Sequence, residues 1–274
     1  MNQHAIDKRF AGSIPKLYDQ YLVPLIFAPY ALDLAHRLRK RPMRRLLEVA
    51  AGTGAVTRAL DEALPPDVSM TITDLNQAML DQAAASGTAR KVEWRQADAL
   101  DLPFGDAGFD VVVCQFGAMF FPDKERAYAE AWRVLNPDGL LLFNVWDRIE
   151  ENEFACTITE ALAALFPEDP PRFLARTPHG YADPGVIARD LKAAGVDAPA
   201  RIDTVAARSR AASPEMPAIA YCQGTPLRSE IEAFGPDRLA EATAACKDAL
   251  ARRFGQGAVD GKIQAHVIAV EKAG

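Results

Sequence analysis

The stretch at residues 44–60, RRLLEVAAGTGAVTRAL, decides the fold. Leu46-Leu47 and Val49-Ala50 make a short apolar run that reads as a buried parallel strand. A tight turn follows at Ala51-Gly52-Thr53-Gly54, and helical spacing resumes from Val56 to Leu64. Glycine lets the backbone turn sharply and lets a ligand lie against bare main chain. The free amides that open the helix favour a negatively charged group over the turn. Glu48 closes the strand beside them. A carboxylate there is ill suited to receiving phosphates and better suited to a ligand with an ammonium group.

The pattern repeats downstream. Residues 69–75 alternate as a strand, 76–86 return to helical spacing, and 92–97 read as a third strand ending at Asp98. After a turn-rich 102–106, residues 109–114 are β-branched and too apolar to be exposed on either face. A helix over 123–135 stops at Asn136-Pro137-Asp138-Gly139, and 140–146 is a fifth strand. This alternation predicts an α/β fold with a doubly wound parallel sheet and right-handed crossovers. Ligands of such sheets sit beyond the carboxyl ends of the strands, where Glu48, Asp74, Asp98 and Gln115 all fall.

The flanks are less regular. Residues 1–43 read as helix, turn, helix, interrupted by Pro24 and Pro29. Their aromatics (Phe10, Tyr18, Tyr21, Phe27, Tyr30) are core by default, with some available to close over a pocket. Past the fifth strand come an amphipathic helix (152–165), a proline-rich loop (167–184), a helix stopped at Gly195 (185–194) and a sixth strand (201–210). Residues 214–255 are mostly helical with a break at Gly224-Thr225-Pro226, and 263–270 alternate as a last strand. No linker divides the chain, so the reading is a single domain over 1–274. It comprises N-terminal helices (1–43), a ligand-binding core (44–147) and helical lid insertions (148–184 and 212–258). Residues 185–211 and 259–274 supply the remaining helix and strands.

Composition bounds the function. The 274 residues are 49% hydrophobic and 25% charged, as in ordinary globular proteins. A net charge of −6 argues against nucleic-acid binding, and the basic cluster at 36–45 reads as a solvated helix end. Cys114, Cys156, Cys222 and Cys246 are too dispersed for a zinc site or a disulfide framework. The opening MNQHAIDKRF is no signal peptide and no run reaches membrane-spanning length, so a cytoplasmic protein is expected. A homodimer is compatible with all of this.

The glycine turn alone fits dinucleotides, nucleotides and other adenosyl ligands alike. A dinucleotide fingerprint wants a third glycine, and Thr57 stands there. Glu48 and Asp98 favour a ligand with a cationic end and an amino-substituted base. Taken together, LLEVAAGTGAVTRAL, TITDLNQAMLDQA and VEWRQADALDLPFGDAGFDVVVCQFGAMFFPDKERAYAEAWRVLNPDGLLLFNV resemble the class I S-adenosylmethionine-dependent methyltransferases. The nearest flavour is the broad group similar to ubiquinone/menaquinone-biosynthesis methyltransferases.

The resemblance implies a Rossmann-like seven-stranded sheet, S-adenosyl-L-methionine as cofactor and S-adenosyl-L-homocysteine as product. It further implies that Glu48 orients the methionyl end and that Ala50, Gly52, Thr53 and Gly54 give close backbone approach. Asp74 would accept the ribose hydroxyls, with Leu75 and Met79 packing by the adenine. Asp98 and Ala99 would meet the adenine, Gln115 would lie beside the sulfonium, and Tyr18 is a candidate cover. The family's first glycine is Ala50 here, and Asn136-Pro137-Asp138-Gly139 stands where the family often has a doubled glycine.

The acceptor is less legible. His179 is the candidate base, and Tyr21, Phe120, Trp146 and Tyr181 are candidates for an acceptor wall. No metal site is expected, because only Asn144 and Asp147 stand where clustered ligands would be needed. The expected function is methyl transfer to an O-, N- or C-nucleophile of a small molecule by in-line displacement. Two alternatives stay open: a protein that binds the cofactor for another purpose, and a nicotinamide-dependent oxidoreductase.

Overall fold

The computed structural model describes residues 12 and 14–274; His4 and Phe10 lie outside the described residues. Seven strands form one sheet in the order β3-β2-β1-β4-β5-β7-β6. They are β1 (Arg45–Glu48), β2 (Ser69–Asp74), β3 (Glu93–Gln96), β4 (Phe109–Gln115), β5 (Leu135–Trp146), β6 (Arg201–Ala211) and β7 (Val259–Glu271). β1 pairs in parallel with β2 and β4, β2 with β3, and β4 with β5. The order reverses between β1 and β4, which places the crevice for a ligand at their carboxyl ends.

By contacts the chain divides into two units. One comprises residues 30–145, 181–205 and 265–274; the other comprises 1–29, 146–180 and 206–264. In the first, Leu46, Val111, Val113, Leu140 and Leu142 present an apolar sheet face to Leu34 and Leu38 of one helix and Val56 and Leu60 of another. These side chains are almost wholly buried, and each contributes about 1.5–3 kcal/mol. The helix Lys124–Val134 is capped by Asp123, whose side chain accepts the Arg126 amide. In the second unit the helices Glu153–Leu165, Glu215–Gln223 and Arg238–Phe254 pack together.

Two expectations are corrected. The N-terminal prolines do not break the chain into helix, turn, helix. Residues 14–38 are one helical run, with a π-helical segment at Tyr18–Phe27 that contains Pro24. In that wider winding the Ala28 amide reaches back five residues to the Val23 carbonyl, and Pro24 is held within the segment. The stop at 136–139 is not a separate turn but a distorted entry into β5, with Asp138 at φ 62°. A Cβ on Gly139 would lie 2.7 Å from the Asn136 carbonyl oxygen, so residue 139 has room only for glycine.

One carboxylate ties the amino ends of three strands. Asp110 on β4 accepts the amides of Arg44 and Arg45 at 2.7 and 2.9 Å and the Asn136 side-chain amide at 2.8 Å. Partial burial opposes its charge, but these donors outweigh burial and hold its pKa below the ordinary value. A depressed carboxyl pKa contributes stability above the unfolded value and loses it as pH falls through the folded one. Asp110→Ala is therefore expected to cost about 1–2 kcal/mol in urea melts at pH 7, after allowance for solvent screening. The gap from wild type should narrow as the melts are repeated below pH 4.

Candidate active site

The site is built by the backbone at the end of β1. The Val49 amide still pairs with the Val113 carbonyl, and the Ala51 amide with that of Thr73, each at 2.9 Å. The chain then turns through left-handed conformations at Ala50 (φ 55°), Gly52 (φ 58°) and Gly54 (φ 81°) before the helix Ala55–Ala63 begins. Ala50 is the surprising member, because a side chain in that region is strained. Space for its methyl group comes from Gly117: a Cβ there would lie 2.6 Å from the Ala50 Cβ and 2.7 Å from the Cys114 sulfur. The missing family glycine is thus compensated by a glycine on the facing strand end.

Glu48 is buried under this turn and accepts a 2.7 Å hydrogen bond from the Thr57 hydroxyl. Burial pushes its pKa up to about 8, with Thr57 and Arg58 offsetting only part of the cost. Thr57 is therefore more than an absent glycine: it is the partner that holds Glu48. Asp74, at the end of β2, accepts the Gly52 amide at 2.8 Å and the Asn76 amide at 2.7 Å. Burial raises its pKa too, against these two donors. A carboxylate has about four acceptor positions, and the Asn76 side chain and the Leu75 amide also face Asp74, so a ligand's hydroxyls would share it with those donors.

Around these acids lie the remaining sequence candidates of the same unit. Met79 is buried, its methyl group 3.6 Å from where a Gly52 Cβ would stand, while Leu75 is 43% exposed. Asp98 is exposed and accepts the Leu100 amide at 3.0 Å, and Ala99 is buried beside it. Gln115 ends β4, and the next residue, Phe116, has φ 52°. The Phe116 amide is shared between the Asn144 main-chain carbonyl at 3.2 Å and its Oδ1 at 2.9 Å.

Several buried polar atoms have no hydrogen-bond partner among the described residues. In this unit they are Thr53 Oγ1, Gln115 Oε1 and Asn144 Nδ2. An unsatisfied buried polar atom costs about 1–3 kcal/mol, so three at one set of strand ends mark a place where a ligand completes the structure. Sequence reading missed Gly117 and the anchoring role of Asn144. The parity of β5 was the available signal: Asn144 interrupts an otherwise apolar run, LLLFNVW.

Other candidates have settled partners. The Tyr181 hydroxyl donates to Asp190 at 2.8 Å, with Tyr128 donating to it at 3.4 Å. Phe120 is half-buried in the short turn Ala118–Phe120. Burial pushes the Cys114 thiol up to about 12, so it is no nucleophile at neutral pH. Cys114, Tyr128 and Phe143 line an apolar cavity of about 20 Å³, room for a single water.

In the second unit, Tyr18 stacks on Phe27 at 4.9 Å, Tyr21 is half-buried, and Trp146 lies 6.0 Å from the His179 ring. His179 Nδ1 is 2.8 Å from the Asp147 carbonyl. A carbonyl only accepts, so Nδ1 carries the hydrogen and Nε2 keeps its lone pair. Burial pushes the imidazole pKa down to about 4, so the ring is neutral. Among the described residues no group of His, Cys, Asp or Glu could hold a metal ion, and no helix is long and apolar enough to cross a membrane.

Residues 47–143 match the methyltransferase domain family. The ubiquinone/menaquinone biosynthesis C-methyltransferase of Methylobacterium nodulans is 32% identical over 169 residues, covering 57% of this chain and 67% of that protein. The chain belongs to the class I S-adenosylmethionine-dependent methyltransferases. Their cofactor, S-adenosylmethionine, is the cofactor of this chain. The demethylmenaquinone methyltransferase of Deinococcus radiodurans is 42% identical over 101 residues, 36% of this chain and 42% of that protein. The match thus spans about two-fifths of that relative's length.

In fold, the chain is similar to phosphoethanolamine N-methyltransferase 2 of Haemonchus contortus. The TM-score is 0.59 at 16% identity, covering 98% of this chain and 59% of the other. The residues present fit the family's cofactor: bare main chain at the turn, acids at two strand ends and unpaired polar atoms beside them.

The Ala50–Gly117 contact is testable. Gly117→Ala is expected to destabilise the methyltransferase by about 1–3 kcal/mol, since the new methyl group meets two fixed neighbours. Adding Ala50→Gly should restore part of that loss, leaving the Cys114 clash. Thermal melts of the two single variants and the double variant read the coupling; strictly additive costs would refute the compensation.

Proposed function

We propose that this chain transfers the methyl group of S-adenosylmethionine to a small-molecule acceptor by direct in-line displacement. The observation that carries the reading is Asp74, a buried carboxylate at the end of β2 joined to the glycine turn by the Gly52 amide. In this reading Asp74 accepts the ribose hydroxyls, Leu75 and Met79 pack by the adenine, and Asp98 and Ala99 meet its amino edge. Glu48 faces the methionyl ammonium, and Ala50, Gly52, Thr53 and Gly54 offer main chain to it. Gln115 borders the sulfonium through its main chain.

Bound there, the cofactor supplies a methyl group on a sulfonium cation, whose departure needs no protonation. The chain's part is alignment of the two reactants and exclusion of water. A base is needed only where the acceptor must lose a proton. His179, neutral with its lone pair on Nε2, can accept a hydrogen bond there, and its low pKa makes it a weak base. Tyr18 is assigned to the cofactor, and Tyr21, Phe120 and Trp146 to the acceptor wall; Tyr181 has its hydroxyl committed to Asp190. Segments 148–184 and 212–258 are read as the lid of a single domain that selects the acceptor. The reading places the enzyme in the cytoplasm, acting on a small molecule and not on nucleic acid, and is compatible with a homodimer.

A screen of acceptors with labelled methyl donor and mass readout tests this. The relatives' names put a demethylmenaquinone analogue first among the acceptors tried. The expected result is formation of S-adenosylhomocysteine only with an acceptor present; binding of the cofactor without turnover on any acceptor would count against it.

Glu48 adds a pH signature. Its carboxyl stays protonated until about pH 8 in the free protein, and a bound cation favours the ionised form. Cofactor affinity should therefore rise from pH 6 to pH 7.5, with proton release on binding. Glu48→Gln should bind more weakly and show a flat profile over that range. A profile in the variant matching wild type would remove Glu48 from the cofactor's charged end.

A further inference from the structure

The four cysteines are dispersed in the sequence, yet the fold brings two of them together. Cys222 lies in the last turn of the helix Glu215–Gln223 and Cys246 in the middle of the helix Arg238–Phe254. These helices pack on each other within one unit. Gln223 Nε2 donates to Thr243 Oγ1 at 3.3 Å, which joins the two helices beside the cysteines. Both cysteine side chains are fully buried, and neither is in a disulfide. The Cys246 thiol has the Cys222 side chain as a hydrogen-bonding partner, and the Ile158 carbonyl oxygen lies 3.9 Å from its sulfur. Cys222 beside it and burial both hold the Cys246 thiol in its protonated form.

The two sulfurs differ in how a reagent can reach them. Cys246 is enclosed by helix on both sides, whereas Cys222 is one residue from the end of its helix, before the break at Gly224-Thr225-Pro226. That end is held by the Gly224 amide on the Ala220 carbonyl at 3.1 Å and the Thr225 hydroxyl on the Tyr221 carbonyl at 2.7 Å. Release of this one turn uncovers Cys222 without unfolding the longer helix. We propose that Cys222 and Cys246 form a redox-sensitive staple, closed to a disulfide by a hydroperoxide, that locks these two helices of the segment 212–258 together. Cys222 sulfur attacks the peroxide: an S–O bond forms, the O–O bond breaks, and water leaves with the thiol proton. Cys246 sulfur then attacks the resulting sulfenic acid: the S–S bond forms, the S–O bond breaks, and the departing hydroxide takes the Cys246 proton as a second water. Two thiols are oxidised by two electrons and one peroxide is reduced. A thiol reductant reverses the step.

Reduced full-length protein treated with hydrogen peroxide, quenched with iodoacetamide and read by intact mass and peptide mapping tests the pair. The expected product has lost two hydrogens, carries a link between Cys222 and Cys246, and returns to two thiols with dithiothreitol. Amides of both helices should then exchange with deuterium about tenfold more slowly, because the link removes their separate opening. Dimedone, which traps sulfenic acid, separates the two roles. Cys246→Ser should be labelled at Cys222 about tenfold faster than Cys222→Ser is labelled at Cys246. Should either variant fail to fold, mapping and exchange of the wild type decide. Oxidation confined to the half-buried Cys156, with Cys222 and Cys246 still alkylated as thiols after denaturation, would overturn the proposal. So would a link that leaves exchange in both helices unchanged, or equal labelling of the two variants.

Discussion

The Gly52 amide donating to the Asp74 carboxylate is the contact on which the rest of the site depends. It joins the turn after β1 to the end of β2, so the left-handed backbone of the one fixes the side chain of the other. A buried carboxylate is costly unless donors surround it, and here backbone amides from two segments supply them. The same amide cannot then serve an incoming phosphate. This explains in physical terms why a glycine-rich turn of generic appearance is specialised for a cationic ligand instead of a pyrophosphate.

Glu48 follows a different logic. It is as buried as Asp74, but the Thr57 hydroxyl and amide and the Arg58 charge offset only part of the burial, so its charge is not fully compensated until a further cation arrives. The free protein holds it neutral. A site arranged this way couples the arrival of positive charge to loss of a proton, and discriminates against neutral analogues without a steric barrier.

Much of this was legible in the sequence because apolar runs, glycines and strand-end acids carry local signals. Leu46-Leu47 and the β-branched residues 109–114 placed β1 and β4, and Asp123 and Gly195 marked helix ends where the structure has them. Local rules failed where a distant partner decides. Pro24 should interrupt a helix, yet a π-helical winding takes it in. Ala50 looked like a tolerated departure, but its tolerance comes from Gly117, far along the chain. Asn144 resembled a polar strand end, and only the register with β4 reveals that it anchors Phe116 and leaves a donor unpaired. Each of these is a pairing between strand ends or helical turns, which spacing along one segment cannot encode.

The central claim is that the turn and the two strand-end acids form one cofactor pocket. Calorimetric titration of S-adenosylmethionine into wild type and into Asp74→Asn tests it most directly. The account predicts saturable one-to-one binding in wild type and a loss of about tenfold or more in the variant, whose amide oxygen can keep the Gly52 hydrogen while its NH2 gives up the Asn76 one, so a thermal melt accompanies the titration to show that the fold persists. Equal affinity in the two proteins, or no saturable heat in wild type while a nicotinamide dinucleotide binds, would contradict it.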